Sequence, residues 1–413
     1  MRTMDHHLEC IGCRARYPSI ETAYACKSCG DLLEVSYDYD DLRESVNASL
    51  WKSRPLSVWR YEELLPLDKG SVKVSLGEGG TTLHRAARVG KLLGLNDLYV
   101  KNEGENPTGS FKDRGMTLGV SKAVEIGAKK VACASTGNTS ASLAAYAAKA
   151  GLESIVVIPH GKIALGKLAQ AIAHGARVLQ IEGNFDDALK AVLRLAQSNT
   201  SLYLLNSVNP YRIEGQKTLA YEIWDQLERK VPDTVIVPVG NAGNISAIWK
   251  GFQDLSQLGL ISHLPRMIGV QAQGASPITE AFRRGQCRIR PVQNPETIAT
   301  AIRIGSPASW KKALRAVKGS GGLMETVTDE EILDAQKLLA RLEGIFVEPA
   351  SGSSIAGLKK LVEAGAIGKD ENVVCVTTGH GLKDPEIVQR MFEKPITVKA
   401  DQRSLEIALG LNR

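Results

Sequence analysis

The sequence has few aromatic residues and no long apolar run. Phe, Trp and Tyr together make up 5% of its 413 residues, which fits an aromatic-rich β-sandwich poorly. No apolar run approaches the ~18 residues that a membrane-spanning helix needs, and residues 1–10 contain no apolar stretch typical of a secretory signal. We therefore expect a cytoplasmic protein that has no membrane partner.

Runs of basic residues are also missing, although the formal net charge is +6. Residues 1–50 hold five basic and nine acidic side chains, a local balance of −4. A surface that binds nucleic acid needs clustered positive charge, so we expect no nucleic-acid partner. A moderate positive charge spread over the rest of the chain favours an anionic small-molecule substrate or cofactor.

Cysteine is scarce except near the start of the chain, where four of the seven cysteines fall. Cys10, Cys13, Cys26 and Cys29 form two Cys-x2-Cys pairs that are separated by twelve residues. Four such thiolates match a closed tetrahedral zinc site, which leaves no open coordination position. The pattern predicts a structural Zn²⁺ in a zinc-ribbon-like module. A disulfide framework would not cluster in this way, so a reducing compartment is expected.

Glycine is abundant, with 39 residues, and short β-branched runs alternate regularly with stretches of helical period. This alternation predicts parallel sheets joined by right-handed crossovers. About nine strands are too many for one small domain, so we expect two facing α/β domains. The predicted strands cover residues 98–101, 130–134, 154–158, 177–181, 202–205, 234–239, 267–271, 345–348 and 373–377. The predicted helices include residues 138–150, 164–174, 186–197 and 212–230.

A lysine follows the first of these strands, in the segment Asn-Pro-Thr-Gly-Ser-Phe-Lys-Asp-Arg-Gly at residues 106–115. Ser110 and Asp113 have the spacing of a capping box, which predicts that a helix begins there. Lys112 would then lie in the first helical turn, where the helix dipole lowers the pKa of an ammonium group. A surface lysine on a helix is the commoner case, but a lysine poised to be neutral suits imine formation with an aldehyde.

The same ten residues resemble the pyridoxal-phosphate lysine motif of the threonine synthase branch of the tryptophan-synthase-β-like superfamily, which is also called fold type II. The resemblance extends from Gly77-Glu-Gly-Gly-Thr81 to about Asp384, most of the chain. It implies two open parallel-sheet α/β domains and pyridoxal 5′-phosphate as the cofactor. It further implies a covalent bond between the cofactor and Lys112, catalytic proton transfer by Lys112, and a homodimer.

A second loop of the family follows the predicted strand at 234–239. It comprises Gly240, Asn241, Ala242, Gly243 and Asn244, and a helix is expected directly after it. Glycines allow backbone N–H groups to point into one concavity, and the helix terminus adds positive potential, so the loop could cradle an anion. The resemblance implies that this anion is the cofactor phosphate.

Two more strand-end loops carry cofactor and substrate positions. Asn138 has the properties of a helix N-cap, and the resemblance implies that it contacts the 3′-oxygen of the cofactor while Ser135 and Thr139 help to hold the substrate. The resemblance also implies that Thr378 faces the pyridine nitrogen. Thr377 is the adjacent competitor, since strand alternation puts only one of the two on the cofactor side.

The loop after the predicted strand at 202–205 resembles the family's binding site for the substrate phosphate. The resemblance implies that Asn206, Ser207 and Arg212 bind it. This is chemically reasonable, because a guanidinium group forms a two-pronged contact with phosphate and short polar side chains can fill its remaining acceptor positions.

The resemblance therefore implies conversion of O-phospho-L-homoserine and water to L-threonine and phosphate, by γ-elimination followed by β-addition of water. Three alternatives stay open. Cysteate synthase would use O-phosphoserine and sulfite, and a pyridoxal-phosphate-dependent serine/threonine dehydratase is disfavoured by the Gly240 loop. A silent paralogue could act only as a zinc-dependent interaction module.

The motifs also predict how the chain divides. The zinc-ribbon-like module covers residues 1–37 and a connector covers 38–75. Residues 76–114 and 206–395 are predicted to form the large domain that binds pyridoxal phosphate, and residues 115–205 the smaller α/β domain. Residues 396–413 are predicted to form a C-terminal tail.

Overall fold

The strands were located in a computed structural model, which describes residues 6–160, 165–183, 185–387 and 396–411. They are β1 (His6–Cys10), β2 (Arg16–Pro18), β3 (Leu33–Tyr37), β4 (Leu83–Arg85), β5 (Asp97–Asn102), β6 (Lys130–Ala134), β7 (Glu153–Pro159), β8 (Arg177–Ile181), β9 (Leu202–Leu204), β10 (Thr234–Pro238), β11 (Arg266–Ala272), β12 (Leu323–Val327) and β13 (Asn372–Thr377). Among the helices of these ranges, none combines the length and apolar character needed to cross a membrane.

Helices follow most of the strands. The α-helices are α1 (Tyr39–Ser45), α2 (Ala48–Trp51), α3 (Ala87–Leu93), α4 (Lys112–Glu125), α5 (Asn138–Ala150), α6 (Leu165–Ala173), α7 (Phe185–Ser198), α8 (Pro210–Gln216), α9 (Thr218–Gln226), α10 (Gly243–Gln257), α11 (Pro277–Arg283), α12 (Trp310–Gly319), α13 (Asp329–Leu338), α14 (Pro349–Glu363) and α15 (Gln402–Leu409). Short 3-10 segments occur at Val58–Leu64, Glu103–Glu105, Gln273–Ala275, Thr300–Ile302 and Gly381–Lys383, and a π-helical turn at Leu339–Glu343.

The strands form three sheets. A small antiparallel sheet has the order β2-β1-β3 and belongs to the N-terminal module, which the structure describes from residue 6 to 37. A six-stranded sheet has the order β12-β11-β10-β13-β5-β4, and all its pairs are parallel except β4 with β5. A four-stranded parallel sheet has the order β8-β7-β6-β9. Central strands such as β10 are buried along their whole length, because helices cover both faces of a parallel sheet.

Most of the predicted strands are present, and β6 and β8 have the predicted bounds. The prediction of a strand at 345–348 is wrong, because that apolar run only connects a π-helical turn to α14 and forms one isolated bridge, from Val347 to His380. The helix predicted at 212–230 is two helices, α8 and α9, which meet at Lys217. The predicted positions 1–5, 161–164, 184, 388–395 and 412–413 lie outside the described residues.

The strands of the six-stranded sheet come from two separate parts of the sequence, one before and one after the segment that forms the four-stranded sheet. Strands β4 and β5 come before it and β10–β13 after it, while β6–β9 form the four-stranded sheet. The domain boundaries at 114/115 and 205/206 stay a prediction.

Helices α4 and α8 cross with their backbones in close contact. A Cβ atom added at Gly215 would lie 1.8 Å from the carbonyl oxygen of Arg114, and one added at Gly115 would lie 2.8 Å from the carbonyl oxygen of Arg212. A Cβ atom added at Gly119, one turn further along α4, would lie 2.6 Å from the Leu205 side chain. Only glycine fits at such contacts, so the glycines determine how closely the two helices approach.

The N-terminal module packs against the helical layer of the large sheet. Leu8, Leu33 and Val35 belong to the same apolar core as Ile248 and Phe252 of α10. Polar contacts support the packing, since Lys312 Nζ donates to the Leu33 carbonyl at 3.1 Å and Arg315 Nη2 to the Ile11 carbonyl at 3.1 Å. The module is therefore held by both apolar and polar contacts to the part of the chain that carries α8, α10 and α12.

Candidate active site

The polar loops singled out in the sequence follow β5, β6, β10 and β13, at the carboxyl ends of parallel strands. Backbone hydrogen bonds join two of these loops directly. Phe111 N donates to the Thr378 carbonyl at 3.1 Å, and His380 N donates to the Gly109 carbonyl at 2.9 Å. The lysine segment and the loop after β13 therefore form one continuous surface.

Lys112 is the first residue of α4 and its side chain is partly buried. Its Nζ lies 3.7 Å from the centre of the Phe111 ring. The pKa of Lys112 is lowered to about 7, mainly by burial and next by the charge of Arg212. Lys383 acts in the same direction, and the charges of Glu348 and Asp113 oppose it. The direction agrees with the sequence-based expectation, but the main cause is desolvation.

The predicted capping box of Ser110 and Asp113 is wrong. Phe111 occupies the N-cap position and makes no side-chain cap hydrogen bond. The buried Asp113 carboxylate instead accepts from the backbone N–H of Thr108 at 2.7 Å and from the hydroxyl of Ser142. Asp113 thus closes the turn before the helix and links it to α5. Ser110 Oγ is buried and has no hydrogen-bond partner in the described ranges.

Arg114, two residues after Lys112, holds the lysine segment in place through buried ion pairs. Its guanidinium is fully buried, with Nε 2.6 Å from Glu103 and Nη1 2.6 Å from Glu222. Lys101 of β5 also contacts Glu222, at 2.7 Å. Removing one partner from a buried ionic network leaves an uncompensated charge, so this network holds the start of α4 firmly to β5 and α9.

Glu348 joins two of the predicted cofactor positions and was not singled out in the sequence. It precedes α14 and its carboxylate is buried. One oxygen accepts from Asn138 Nδ2 at 2.9 Å and the other from Thr378 Oγ1 at 3.0 Å. The available signal was the Glu-Pro-Ala-Ser sequence that ends an apolar run and begins a helix, but a Glu before an N1 proline is also an ordinary helix start.

The two threonines at the end of β13 point to different neighbours. Thr377 Oγ1 donates to the carbonyl of Lys101 in the adjacent strand, at 3.2 Å. Thr378 Oγ1 contacts Ser351 Oγ and Glu348, each at 3.0 Å. Thr378 is therefore the one that shares a surface with Asn138.

The expectation that Asn138 caps α5 is wrong. Helix α5 begins at Asn138 itself and Gly137 occupies the cap position. The Asn138 side chain is directed to Glu348 instead. Ser135 and Thr139 flank it and are partly exposed, and Ser135 Oγ accepts from Gly137 N at 3.3 Å.

The Gly240–Asn244 segment follows β10, and its last two residues, Gly243 and Asn244, begin α10. Ala242 has φ of +66°, a left-handed conformation that is uncommon for a residue with a Cβ. The side-chain oxygen of Asn241 accepts from Ala308 N at 3.3 Å. Asn244 is buried, and neither polar atom of its side chain has a partner in the structure.

The predicted substrate residues have different surroundings. Asn206 uses both side-chain amide atoms on the backbone of Ala134, each at 2.9 Å, and so joins the ends of β9 and β6. Ser207 is partly buried. Arg212 is buried, its Nε has no partner, and it makes no ion pair with any described residue. Burial lowers the pKa of Arg212 to about 10.

Several buried polar atoms have no hydrogen-bond partner among the described residues and belong to the segments that carry the predicted site residues. They belong to residues of α4, α8 and α10 or the loops before them, namely Ser110 Oγ, Arg212 Nε, Gln216 Oε1 and both side-chain polar atoms of Asn244. Buried polar groups without hydrogen bonds are rare in folded proteins. A ligand with anionic and polar groups would satisfy them, and pyridoxal phosphate fits this set of donors and acceptors.

The four clustered cysteines form a separate site in the N-terminal module. Their Sγ atoms all lie within 4.8 Å of one another. Cys10 and Cys29 are 3.4 Å apart and Cys13 and Cys26 are 3.5 Å apart, measured between sulfurs. This arrangement is compatible with a tetrahedral metal site.

Comparison with known proteins agrees with this geometry. Residues 74–379 match the family described as pyridoxal-phosphate dependent enzyme. The chain is 60% identical over 397 residues to the threonine synthase of Methanocaldococcus jannaschii, covering 96% of this chain and 98% of that relative. The chain belongs to the threonine synthases, within the pyridoxal-phosphate dependent enzymes. The threonine synthase of Methanosarcina acetivorans is 55% identical over 404 residues, 98% of each chain.

Solved structures confirm the fold class. Threonine deaminase isoform 2 from Solanum lycopersicum superposes with a TM-score of 0.64 at 25% identity, covering 76% of this chain and 88% of that one. Maize serine racemase has a TM-score of 0.64 at 23% identity, covering 75% and 91%, and shows the shared fold alone. The predictions of a fold type II enzyme, of a lyase and of pyridoxal phosphate as cofactor are confirmed.

Proposed function

We propose that the chain converts O-phospho-L-homoserine and water to L-threonine and phosphate. The observation that carries this proposal is Arg212, a buried cation without an anionic partner among the described residues, whose charge acts on Lys112. A substrate whose α-proton is taken by Lys112 and whose phosphate binds Arg212 fits this pair. The high identity to threonine synthases supports the same substrate.

The residues around Lys112 would hold the cofactor. The backbone of Gly240–Asn244 and the Asn244 side chain would bind its phosphate, because the start of the fifteen-residue helix α10 adds positive potential there. Asn138 would contact the 3′-oxygen and Thr378 the ring nitrogen. When bound, pyridoxal phosphate supplies an electron sink that stabilises negative charge on the substrate carbons.

Lys112 would carry the protons of the reaction. With a pKa of about 7, it is partly neutral at physiological pH and can take the proton from the α-carbon. The same amine would also carry the later proton transfers of the reaction. Ser135 and Thr139, on the partly exposed rim, would hold the amino-acid end of the substrate.

Arg212 and Ser207 would bind the substrate phosphate. Asn206 has a different part in this proposal, because its amide is already used on Ala134. It would hold the loop that carries Ser207 rather than contact the phosphate. Asn241 would likewise shape the cofactor loop through its contact with Ala308.

We also propose that Cys10, Cys13, Cys26 and Cys29 hold a structural Zn²⁺. Four sulfur ligands close the coordination sphere, so this metal would stabilise the module and take no part in the reaction. We further propose that the enzyme is a cytoplasmic homodimer, as expected for its family.

The deciding assay incubates the protein and pyridoxal phosphate with O-phospho-L-homoserine, and in parallel with O-phosphoserine plus sulfite. We expect L-threonine and phosphate in equal amounts from the first reaction only. The Lys112→Ala variant is the matched control and should form neither product. Turnover in the second reaction alone would assign cysteate synthase activity instead. A dehydratase would release ammonia and a keto acid from serine or threonine.

A further inference from the structure

Two residues of α8, one before and one after Arg212, make hydrogen bonds to the N-terminal module. Tyr211 donates its hydroxyl to the Ser19 carbonyl at 2.6 Å, and Ser19 lies between the two cysteine pairs. On the other side of Arg212, the carboxylate of Glu214 accepts from the Tyr37 hydroxyl at 2.5 Å. Arg212 therefore lies on a turn of helix that the module holds at both sides.

The loop that carries Ser207 is held in the same way. Leu204 N, at the end of β9, donates to the Tyr24 hydroxyl at 2.7 Å. Tyr24 lies two residues before Cys26, and its ring packs on Tyr203 with the ring centres 6.0 Å apart. The module thus contacts both segments of the chain that we assign to the substrate phosphate.

Glu214 is a strong anchor because it is buried and doubly paired. Lys217 Nζ lies 2.7 Å from its carboxylate, and Lys250 contacts the other oxygen. Burial raises the pKa of the Glu214 carboxyl, but these two charges outweigh it and hold that pKa at about 2. Lys250 also donates to the Val35 carbonyl of β3 at 2.5 Å, so the charged group is shared between helix and module.

We infer that the N-terminal module is a positioning element of the substrate-phosphate site. Its contacts through Tyr24, Tyr37 and Tyr211 fix Arg212 and the Ser207 loop at the spacing that the phosphate requires. These three tyrosines are positioning residues, since their hydroxyls act through α8 and β9. The inference rests on the proposed function, because that function places the phosphate at Arg212.

The contacts predict a selective defect when one hydroxyl is removed. None of them reaches Lys112, Asn244 or Thr378, so cofactor binding should be unchanged. Loss of one hydrogen bond that orients the site should raise KM for O-phospho-L-homoserine about 2- to 10-fold. The value of kcat should stay close to that of the wild type.

The test compares Tyr211→Phe and Tyr24→Phe with Tyr61→Phe in the full-length holoenzyme. Tyr61 is a matched control because it is equally buried and its hydroxyl donates to Asp225 at 2.9 Å, joining α9 to the connector instead of α8 to the module. We expect KM to rise in the first two variants only. The inhibition constant of inorganic phosphate should rise by a similar factor, while that of phosphate-free L-threonine stays unchanged.

An unchanged KM and an unchanged inorganic-phosphate constant in both variants would overturn the inference, even if their melting temperatures fall. Equal increases in all three variants would also overturn it, because they would indicate a general loss of rigidity. Failure of the proposed function is distinct, since it would appear as wild-type protein that forms no threonine. In that case calorimetric binding of inorganic phosphate to the holoenzyme still compares the variants and decides whether the module positions Arg212.

Discussion

Replacing Arg212 by Met tests the substrate site most directly. Met has a similar length and no charge, so α8 keeps its packing while the phosphate loses its cation. Arg212 is buried and makes no ion pair with any residue that the structure describes, so its removal leaves none of these residues with an uncompensated charge. We expect the variant to fold, to bind pyridoxal phosphate and to lose affinity for the phosphorylated substrate.

The size of the defect follows from the contacts that are lost. A hydrogen bond to a charged group is worth about 1.5–3 kcal/mol, and a two-pronged contact supplies two of them. A loss of about 3 kcal/mol or more corresponds to a decrease in kcat/KM of roughly 100-fold or more. The decrease in kcat/KM is measured from the steady-state release of phosphate from O-phospho-L-homoserine.

The same variant should also shift the pH profile. The Arg212 charge lowers the pKa of Lys112, second in size only to burial, so its removal raises that pKa. Lys112 must be neutral to accept a proton, and the acid limb of the kcat profile should therefore move to higher pH. Arg212→Lys is the matched control, because it keeps the charge near Lys112 but loses the two-pronged contact. A kcat/KM within a factor of three of wild type in Arg212→Met would refute the assignment.

Three further outcomes are expected. Thr378→Ala should alter the visible absorbance of the bound cofactor and lower kcat about tenfold, the scale of a lost hydrogen bond to a charged group. Its control, Thr377→Ala, should leave that absorbance unchanged and only lower the melting temperature. Gly215→Ala should lower the free energy of unfolding in urea by about 3 kcal/mol or more, because the new Cβ would overlap the Arg114 carbonyl oxygen. Gly368→Ala should unfold like wild type, because the nearest atom to its new Cβ would be 3.8 Å away. Cys26→Ser should remove about one bound zinc per chain in elemental analysis and lower the melting temperature, while Cys287→Ser, at an exposed cysteine outside the cluster, should change neither.

Much of the fold follows from local patterns in the sequence. Most strands of the two larger sheets are short apolar runs, and the bounds of those that were predicted agree to within a residue or two, because such runs end where the chain leaves the core. Strands β4 and β12 could not be predicted, since they form the two edges of the six-stranded sheet and neither contains a β-branched run. The run at 345–348 has strand composition, but its packing places it at the start of a helix.

The parts of the site that could not be predicted depend on contacts between distant residues. Asp113 has the spacing of a cap, yet Ser142 of another helix takes part in its hydrogen bonds. Asn138 is a good capping residue, yet its amide contacts Glu348, more than two hundred positions later. Tyr24 and Leu204 are separated by 180 residues. Local propensity does not contain this information, because it arises only when the chain has folded.

The glycine contact between α4 and α8 has a consequence for substrate choice. Helix α4 carries Lys112 and helix α8 carries Arg212, and the two helices touch through backbone atoms at Gly115 and Gly215. Backbone contacts cannot adjust as side-chain contacts do. The crossing therefore fixes the distance between Lys112, which transfers protons in the proposed reaction, and Arg212, which would bind the substrate phosphate. O-Phosphoserine is shorter than O-phospho-L-homoserine by a single methylene, so the spacing of two helices would select between two otherwise similar amino acids.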